Sequence, residues 1–431
     1  MKEGYKETTI GRIPEDWEAL TIDQLRNRSD RYSFTGGPFG SNLKAEHYTT
    51  DGVRVIQLQN IGEGKFLNES KIFTSEEKAD ELFSCNIFPD EIILAKMAPV
   101  ARSCKIPDFH NRYLMCSDGI RLSVDRNKFD DEFVFQAINS EYFLRSAESK
   151  STGTTRARIG LSELRELTIG IPKNKSEQSK IASILSTVDD KIDSINQRIE
   201  ETRKLKQGLM QQLLTRGIGH SKFKDSPLGE IPESWEVAKV GSIAQTFAGG
   251  TPNRSIREYY SGIIPWIKSG EVRNRSISSS EECVTEKAIK ETATKLIKPD
   301  SVLVALYGAT AGNVGILKIS ACSNQAVLAV DSITGNVING FIYYMLIQAA
   351  KKLINLTQGS GQPNLSKAIV DSILIPIPLV EEQIKITGIL GGVDDKLDIL
   401  QEKKAEYEQL KKGLMQQLLT GKIRVKLSRQ L

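Results

Sequence analysis

The sequence predicts an α+β protein: two globular α/β domains joined by two long helices that form an antiparallel intramolecular coiled coil, the whole arranged as a pseudo-two-fold repeat. Three observations carry this. The entry to one unit, IGRIPEDWE from Ile10 to Glu18, recurs as LGEIPESWE from Leu228 to Glu236, 218 residues later. A longer pair, EQSKIASILSTVDDKID from Glu177 and EQIKITGILGGVDDKLD from Glu382, recurs after 205 residues, as do KQGLMQQLLT from Lys206 and KKGLMQQLLT from Lys411. A fixed shift over both matches means that this segment is held to length while the globular part upstream has gained or lost residues. The third observation is the spacing of apolar residues inside the long match.

Ile181, Leu185, Val188, Ile192, Ile195, Ile199, Thr202, Lys206, Leu209 and Leu213 alternate steps of four and three. The second copy reads Ile386, Leu390, Val393, Leu397, Leu400, Lys404, Tyr407, Lys411, Leu414 and Leu418. That is a heptad seam without proline, so each copy is expected to be one continuous helix. At 1.5 Å per residue the repeated stretch runs to about 57 Å, longer than a small domain's core can cover. Each seam therefore needs a partner, and the other copy has matching length and pattern. Antiparallel pairing is the expectation, with one globular domain at each end of the rod. The boundaries follow: a globular domain at 1–176, a helix at 177–216, a second globular domain at 217–381 and a helix at 382–425.

Length and composition agree with this division. A chain of 431 residues exceeds one ordinary core, and 39% hydrophobic with 26% charged residues is the balance of a soluble globular protein. No run of about 18 apolar residues and no signal-like start appears, so a cytoplasmic location is expected. Five cysteines and three histidines, scattered and without a CxxC pair, support neither a zinc site nor a disulfide framework. The formal net charge of +4 permits nucleic-acid binding without requiring it.

Between the repeated ends the two globular segments share a faint skeleton. FPDEIILAKM from Phe88 matches KPDSVLVALY from Lys298, and MCSDGIRLSVD from Met115 matches ACSNQAVLAVD from Ala321; both read as strands. VRVIQLQNI from Val53 and IIPWIKSGEV from Ile263 each read as a strand entering a polar turn, and FDDEFVFQAINS and INGFIYYMLIQAAKKL as helices. A constant frame with divergent loops suits two readers of different targets. The polar, glycine-rich loops supply the candidate nucleic-acid contacts. In the first unit these are Lys44, then Gln57, Gln59 and Asn60, then Arg102, and finally Arg156 and Arg158. In the second they are Lys268 and Arg273, then Tyr307 and Asn313, then Gln362 and Asn364. Forked donors and acceptors of this kind read base edges, and lysines suit phosphates.

The paired IPExWE entries, GGTP at Gly249, IPWIKSGEV at Ile264, LYGATAGNVGI at Leu306, GSGQPNLS at Gly359 and the repeated GLMQQLLT tails together resemble the specificity subunit of a type I restriction-modification system. The first unit departs from the second, with DGVRVIQLQNI for GIIPWIKSGEV and TTRARIGLS for GQPNLS. The resemblance implies two target-recognition domains, each reading part of a split site on double-stranded DNA, with the coil as ruler. It implies as partners two DNA methyltransferase subunits and the restriction and translocase subunits, with S-adenosylmethionine, ATP and Mg bound by those partners and no cofactor bound by this chain. The resemblance also implies no catalysis here, and the residues agree: GxxxxGK[ST], an Asn-Pro-Pro-aromatic box and GxGxxG between a strand and a helix are all missing. Phe88-Pro89-Asp90 with Lys96 lacks the second acidic residue of a nuclease cluster. A coiled-coil adaptor with protein-binding ends is the alternative, separable by salt-dependent retention of duplex DNA.

Overall fold

The computed structural model describes residues 4–153, 156–357 and 364–427. Contacts divide the chain into two compact units: Met1–Ile195 with Lys403–Leu431, and the contiguous Asn196–Glu402.

The first unit is built on a four-stranded antiparallel sheet, in the order Ser103–Lys105, Ile92–Ala95, Gly119–Leu122, Phe34–Gly36. Beside it lies a five-stranded mixed sheet, in which Tyr113–Met115 runs parallel to Val53–Ile56. The strand Ile92–Ala95 is buried on both faces, and alternation sends its side chains into two cores. Ile92 and Leu94 join Trp17, Phe133 and Phe143, while Ile93 and Ala95 join Ile56, Tyr113 and Met115.

The second unit repeats the plan. Its main sheet runs Ala244–Ala248, Val327–Ser332, Val302–Ala305, Val314–Leu317, Ser276–Ile277, and a smaller sheet places Trp266 parallel to Cys322. Val302 and Val304 face the core of Trp235 and Phe341, and Leu303 and Ala305 face that of Ile267 and Val272. The fold class is α+β, as the pattern predicts. One register differs from the sequence match. Cys116 N–H donates to Ile56 and its carbonyl accepts from Gly119; in the second unit Asn324, not Cys322, makes the corresponding bonds to Ile267 and Val327. The expected pairing of Met115–Asp125 with Ala321–Asp331 is therefore two residues out. A slip of two keeps every side chain on its own face of the sheet, so hydrophobic alternation alone does not detect it.

Two long helices, Lys175–Arg216 of 42 residues and Val380–Leu418 of 39, carry the repeated segments. Within the first unit, Asp189 pairs with Lys411 at 2.7 Å and Glu177 with Arg424 at 2.7 Å. Within the second, Lys206 pairs with Asp394 at 2.5 Å and the Ile218 amide donates to Glu382 at 2.8 Å. In each unit the first number rises as the second falls, so the two segments run antiparallel. The seam positions Ile181, Leu185, Val188, Ile195, Leu213, Ile386, Leu390, Leu397, Leu400 and Leu418 are buried, and Ile192, Leu209, Val393 and Leu414 are half-buried.

Polar residues of the repeat fasten each helix to its own unit. Gln178 donates to Pro172 O at 2.7 Å and accepts from the Asp130 amide; Gln383 donates to Pro378 O at 2.8 Å and accepts from the Ile338 amide. Both side chains are buried, and both hold a helix start against the loop that precedes the unit's own core helix, Asp131–Ile138 or Asn339–Thr357. The far ends of the helices are equally alike. Gly217, directly after the first helix, at φ +64 and Gly421, three residues past the second, at φ +67 both take the left-handed conformation that glycine adopts without strain. A Cβ at Gly217 would stand 2.6 Å from the Trp235 ring, and one at Gly421 would stand 2.4 Å from Pro14.

Candidate nucleic-acid interface

The sequence places its candidates on loops, and the structure sorts them into two groups in each unit. The first group surrounds a single 3-10 turn that follows a buried strand. In the first unit Val53–Ile56 leads into Leu58–Asn60, where the Gln57 amide donates to Asn60 Oδ1 at 2.9 Å. In the second, Ile264–Ile267 leads into Ser269–Glu271, and the Lys268 amide donates to Glu271 Oε2 at 2.7 Å. Asn60 and Glu271 thus fill one structural role.

Asn60 is only 1% exposed, and its amide nitrogen donates to Leu67 O and Ser70 O. It serves the loop's own fold and offers no free edge. Gln57 is half-buried and accepts from Gln59 and Ser70, while Gln59 beside it is exposed. Lys268 is held by Glu281 at 2.8 Å and Glu282 at 3.1 Å, and those carboxylates raise its ammonium above its ordinary value.

Arg102 and Asn313 also prove equivalent. Arg102 Nε donates to Ile61 O at 2.7 Å and Nη2 to Leu58 O at 3.0 Å. Asn313 Nδ2 donates to Val272 O at 3.0 Å, and Thr310 Oγ1 to Ser269 O at 2.8 Å. Each unit therefore uses polar side chains of the adjacent hairpin to hold the same two carbonyls of the 3-10 turn. Thr310 was not singled out from sequence, because a threonine in a glycine-rich loop carries no distinguishing pattern. Arg102 Nη1 also reaches Met97 O and Pro99 O, at 3.3 Å each, and links this turn to the second group. Arg273 is exposed and donates from Nε to Gly270 O at 3.0 Å, so it lies on the same turn.

The second group forms where strand ends meet. The Lys96 amide donates to Asp118 O, and the Ile159 amide donates to Lys96 O at 2.9 Å. In the second unit the Leu306 amide donates to Ala326 O, and the Leu365 amide to Leu306 O at 2.7 Å. Arg158 and Asn364, each one residue earlier, therefore occupy matching stations, and both are exposed. Arg158 pairs with Asp118 at 3.2 Å. Lys96 donates to Ser117 O at 2.7 Å, and burial, then the nearby Arg158 charge, pushes its ammonium below its ordinary value. Arg156 and Tyr307 are exposed on the same loops, and Gln362 lies outside the described residues. Lys44 stands apart on an exposed turn with Glu46 at 3.4 Å. Arg254 was not singled out individually: it lies 4.5 Å from the Tyr260 ring centroid and pairs with Glu282 at 2.7 Å.

Among the described residues no group of three or more His, Cys, Asp or Glu could hold a metal ion, and no helix is long and apolar enough to cross a membrane. The two units thus share one frame and matched polar turns and differ at their loop tips. The family model for the type I restriction modification DNA specificity domain matches residues 14–203 and again 232–409, and the chain belongs to that family as a type I specificity subunit.

It is 27% identical over 442 residues to a putative type I restriction enzyme MjaX specificity subunit of Methanocaldococcus jannaschii, covering 99% of this chain and 98% of that one. It is 28% identical over 291 residues to the EcoR124I/EcoR124II specificity subunit of Escherichia coli, covering 64% and 66% of the two chains. In fold it is similar to the crystal structure of a type I S subunit from M. genitalium, at a TM-score of 0.60 and 19% identity, covering 96% of this chain and 97% of that one.

Proposed function

We propose that this chain is the non-catalytic DNA-reading subunit of its complex, that it recognises a bipartite site on double-stranded DNA, and that it acts in the cytoplasm. The observation that carries the reading is the matched pair of loop clusters. Equivalent hydrogen bonds hold equivalent turns in both units, while the exposed residue at the matched tip is Arg158 in one and Asn364 in the other. Arginine pairs its fork with guanine and asparagine with adenine, so one frame presents two different base preferences. The long helices set the unread spacer and dock two methyltransferase subunits, with restriction and translocase subunits completing the assembly. S-adenosylmethionine, ATP and Mg belong to those partners.

The test is retention of a duplex bearing the methylated motif of the source genome, compared with a scrambled duplex, at increasing salt. Sequence-selective binding that weakens log-linearly with salt is expected. Equal retention of both duplexes by the complete complex refutes the reading. Arg158→Ala should relax one half-site and Asn364→Ala the other.

A further inference from the structure

The loop that follows strand Phe34–Gly36 carries Phe39, a residue 84% exposed, more than any other aromatic among the described residues. A lone exposed apolar residue is ordinary on protein surfaces. Three observations set this one apart. The first is place: Gly36 pairs with Ile120 and the Gly37 amide donates to Gly119 O, so the loop leaves the sheet beside Ser117, Asp118 and Lys96. Lys96 Nζ lies within 2.8 Å of where a Cβ on Gly36 would stand, and Arg158 is paired to Asp118.

The second is company. Gly40, Ser41, Asn42 and Lys44, which follow Phe39 along the chain, are exposed, and none of them is a large apolar residue. An exposed ring followed along the chain by an amide and a cation suits a nucleic-acid surface, with cations toward phosphates and the ring toward bases. The third is its counterpart. Ala248 pairs with Leu328 as Gly36 pairs with Ile120, and the Gly249 amide donates to Val327 O as Gly37 donates to Gly119 O. The residue matching Phe39 is therefore Thr251, which is exposed and bonded to Gln325. The same station is filled by an aromatic ring in one unit and by a hydroxyl in the other.

We propose that Phe39 is a base-contacting residue of the first reader, laying its ring against the bases at one step of that reader's half-site, and that Thr251 holds the corresponding station in the second. This rests on the DNA-reading function proposed above. The experiment uses the full chain co-expressed with the methyltransferase subunit of its own system, on a duplex library randomised in both half-sites. Binding and adenine methylation are read for wild type, Phe39→Ala, Phe39→Trp and Phe39→Thr.

Phe39→Ala is expected to weaken binding about ten- to a hundredfold, the range for one base–aromatic contact. Base preference should flatten at one or two neighbouring positions of a single half-site, with the salt slope unchanged because no phosphate contact is lost. Phe39→Trp should keep most of the affinity, and Phe39→Thr should shift the preferred base at those positions alone. Wild-type affinity and preference in Phe39→Ala overturn the proposal while leaving the DNA-reading function standing. A loss shared equally by both half-sites overturns it too. A wild-type complex without sequence preference removes both readings, so the control separates the two failures.

Discussion

At the scale of single residues, the two copies solve one problem with different chemistry. Where the second helix begins, Glu382 accepts from His220, from the Ile218 amide and from Trp235 Nε1. Where the first begins, Glu177 is gripped by Arg424, whose other edge makes two bonds to Asp16 at 2.9 and 2.6 Å. His220 and Arg424 each lie three residues past a left-handed glycine, Gly217 or Gly421, and each reaches the glutamate at a helix start. The Arg424 guanidinium holds the Asp16 carboxyl below its ordinary value of 3.8. A carboxyl depressed in the folded state adds stability above its unfolded pKa, and that stability disappears as pH falls through the folded value. Arg424→Ala should therefore melt below wild type at neutral pH, with the gap narrowing once the pH drops below 3.8. Thermal melts of both proteins across that range check this, and a gap that stays constant into acid refutes it.

At the scale of elements, the helices were legible because a heptad pattern and a fixed 205-residue shift both mark them. The polar positions inside them were not. Asp189 with Lys411 and Asp394 with Lys206 are reciprocal pairs, each residue matching its counterpart one repeat away. Gln136 also donates to Asp189 at 2.9 Å and Tyr344 to Asp394 at 2.9 Å, which ties each pair to its own unit's core helix. The repeated aspartates were visible in sequence, but a charge beside a seam reads equally well as a solvated face, and only packing distinguishes the two. Exchanging one pair, as Lys206→Asp with Asp394→Lys, should restore stability that either single reversal removes. A double-mutant cycle in urea is expected to show coupling of about 1 kcal/mol or more, and additivity would sink the pairing. The loops were legible only as loops. Lys44, Arg102, Asn60 and Asn313 looked alike as polar side chains, yet burial and hydrogen bonding turn the last three into fasteners of a turn.

At the scale of the whole molecule, the proposed measuring role of the helices has its own test. One heptad inserted at matching places in both helices adds about 10 Å and should change the tolerated spacer by about three base pairs at 3.4 Å each. Methylated-motif sequencing reads this directly, and an unchanged spacer would end the ruler idea. The division of the chain carries a further consequence, for the order in which the protein is made. The second unit is contiguous, Asn196–Glu402, whereas the first needs Lys403–Leu431 to complete it. Leu418 and Leu419 lie in the same core as Trp17, Ile181 and Leu185. At ribosomal speeds of about 5–20 residues per second, the amino-terminal half waits on the order of tens of seconds for that missing wall. The half synthesised first is thus the half that finishes folding last, and while it waits its open apolar side is what a chaperone would cover.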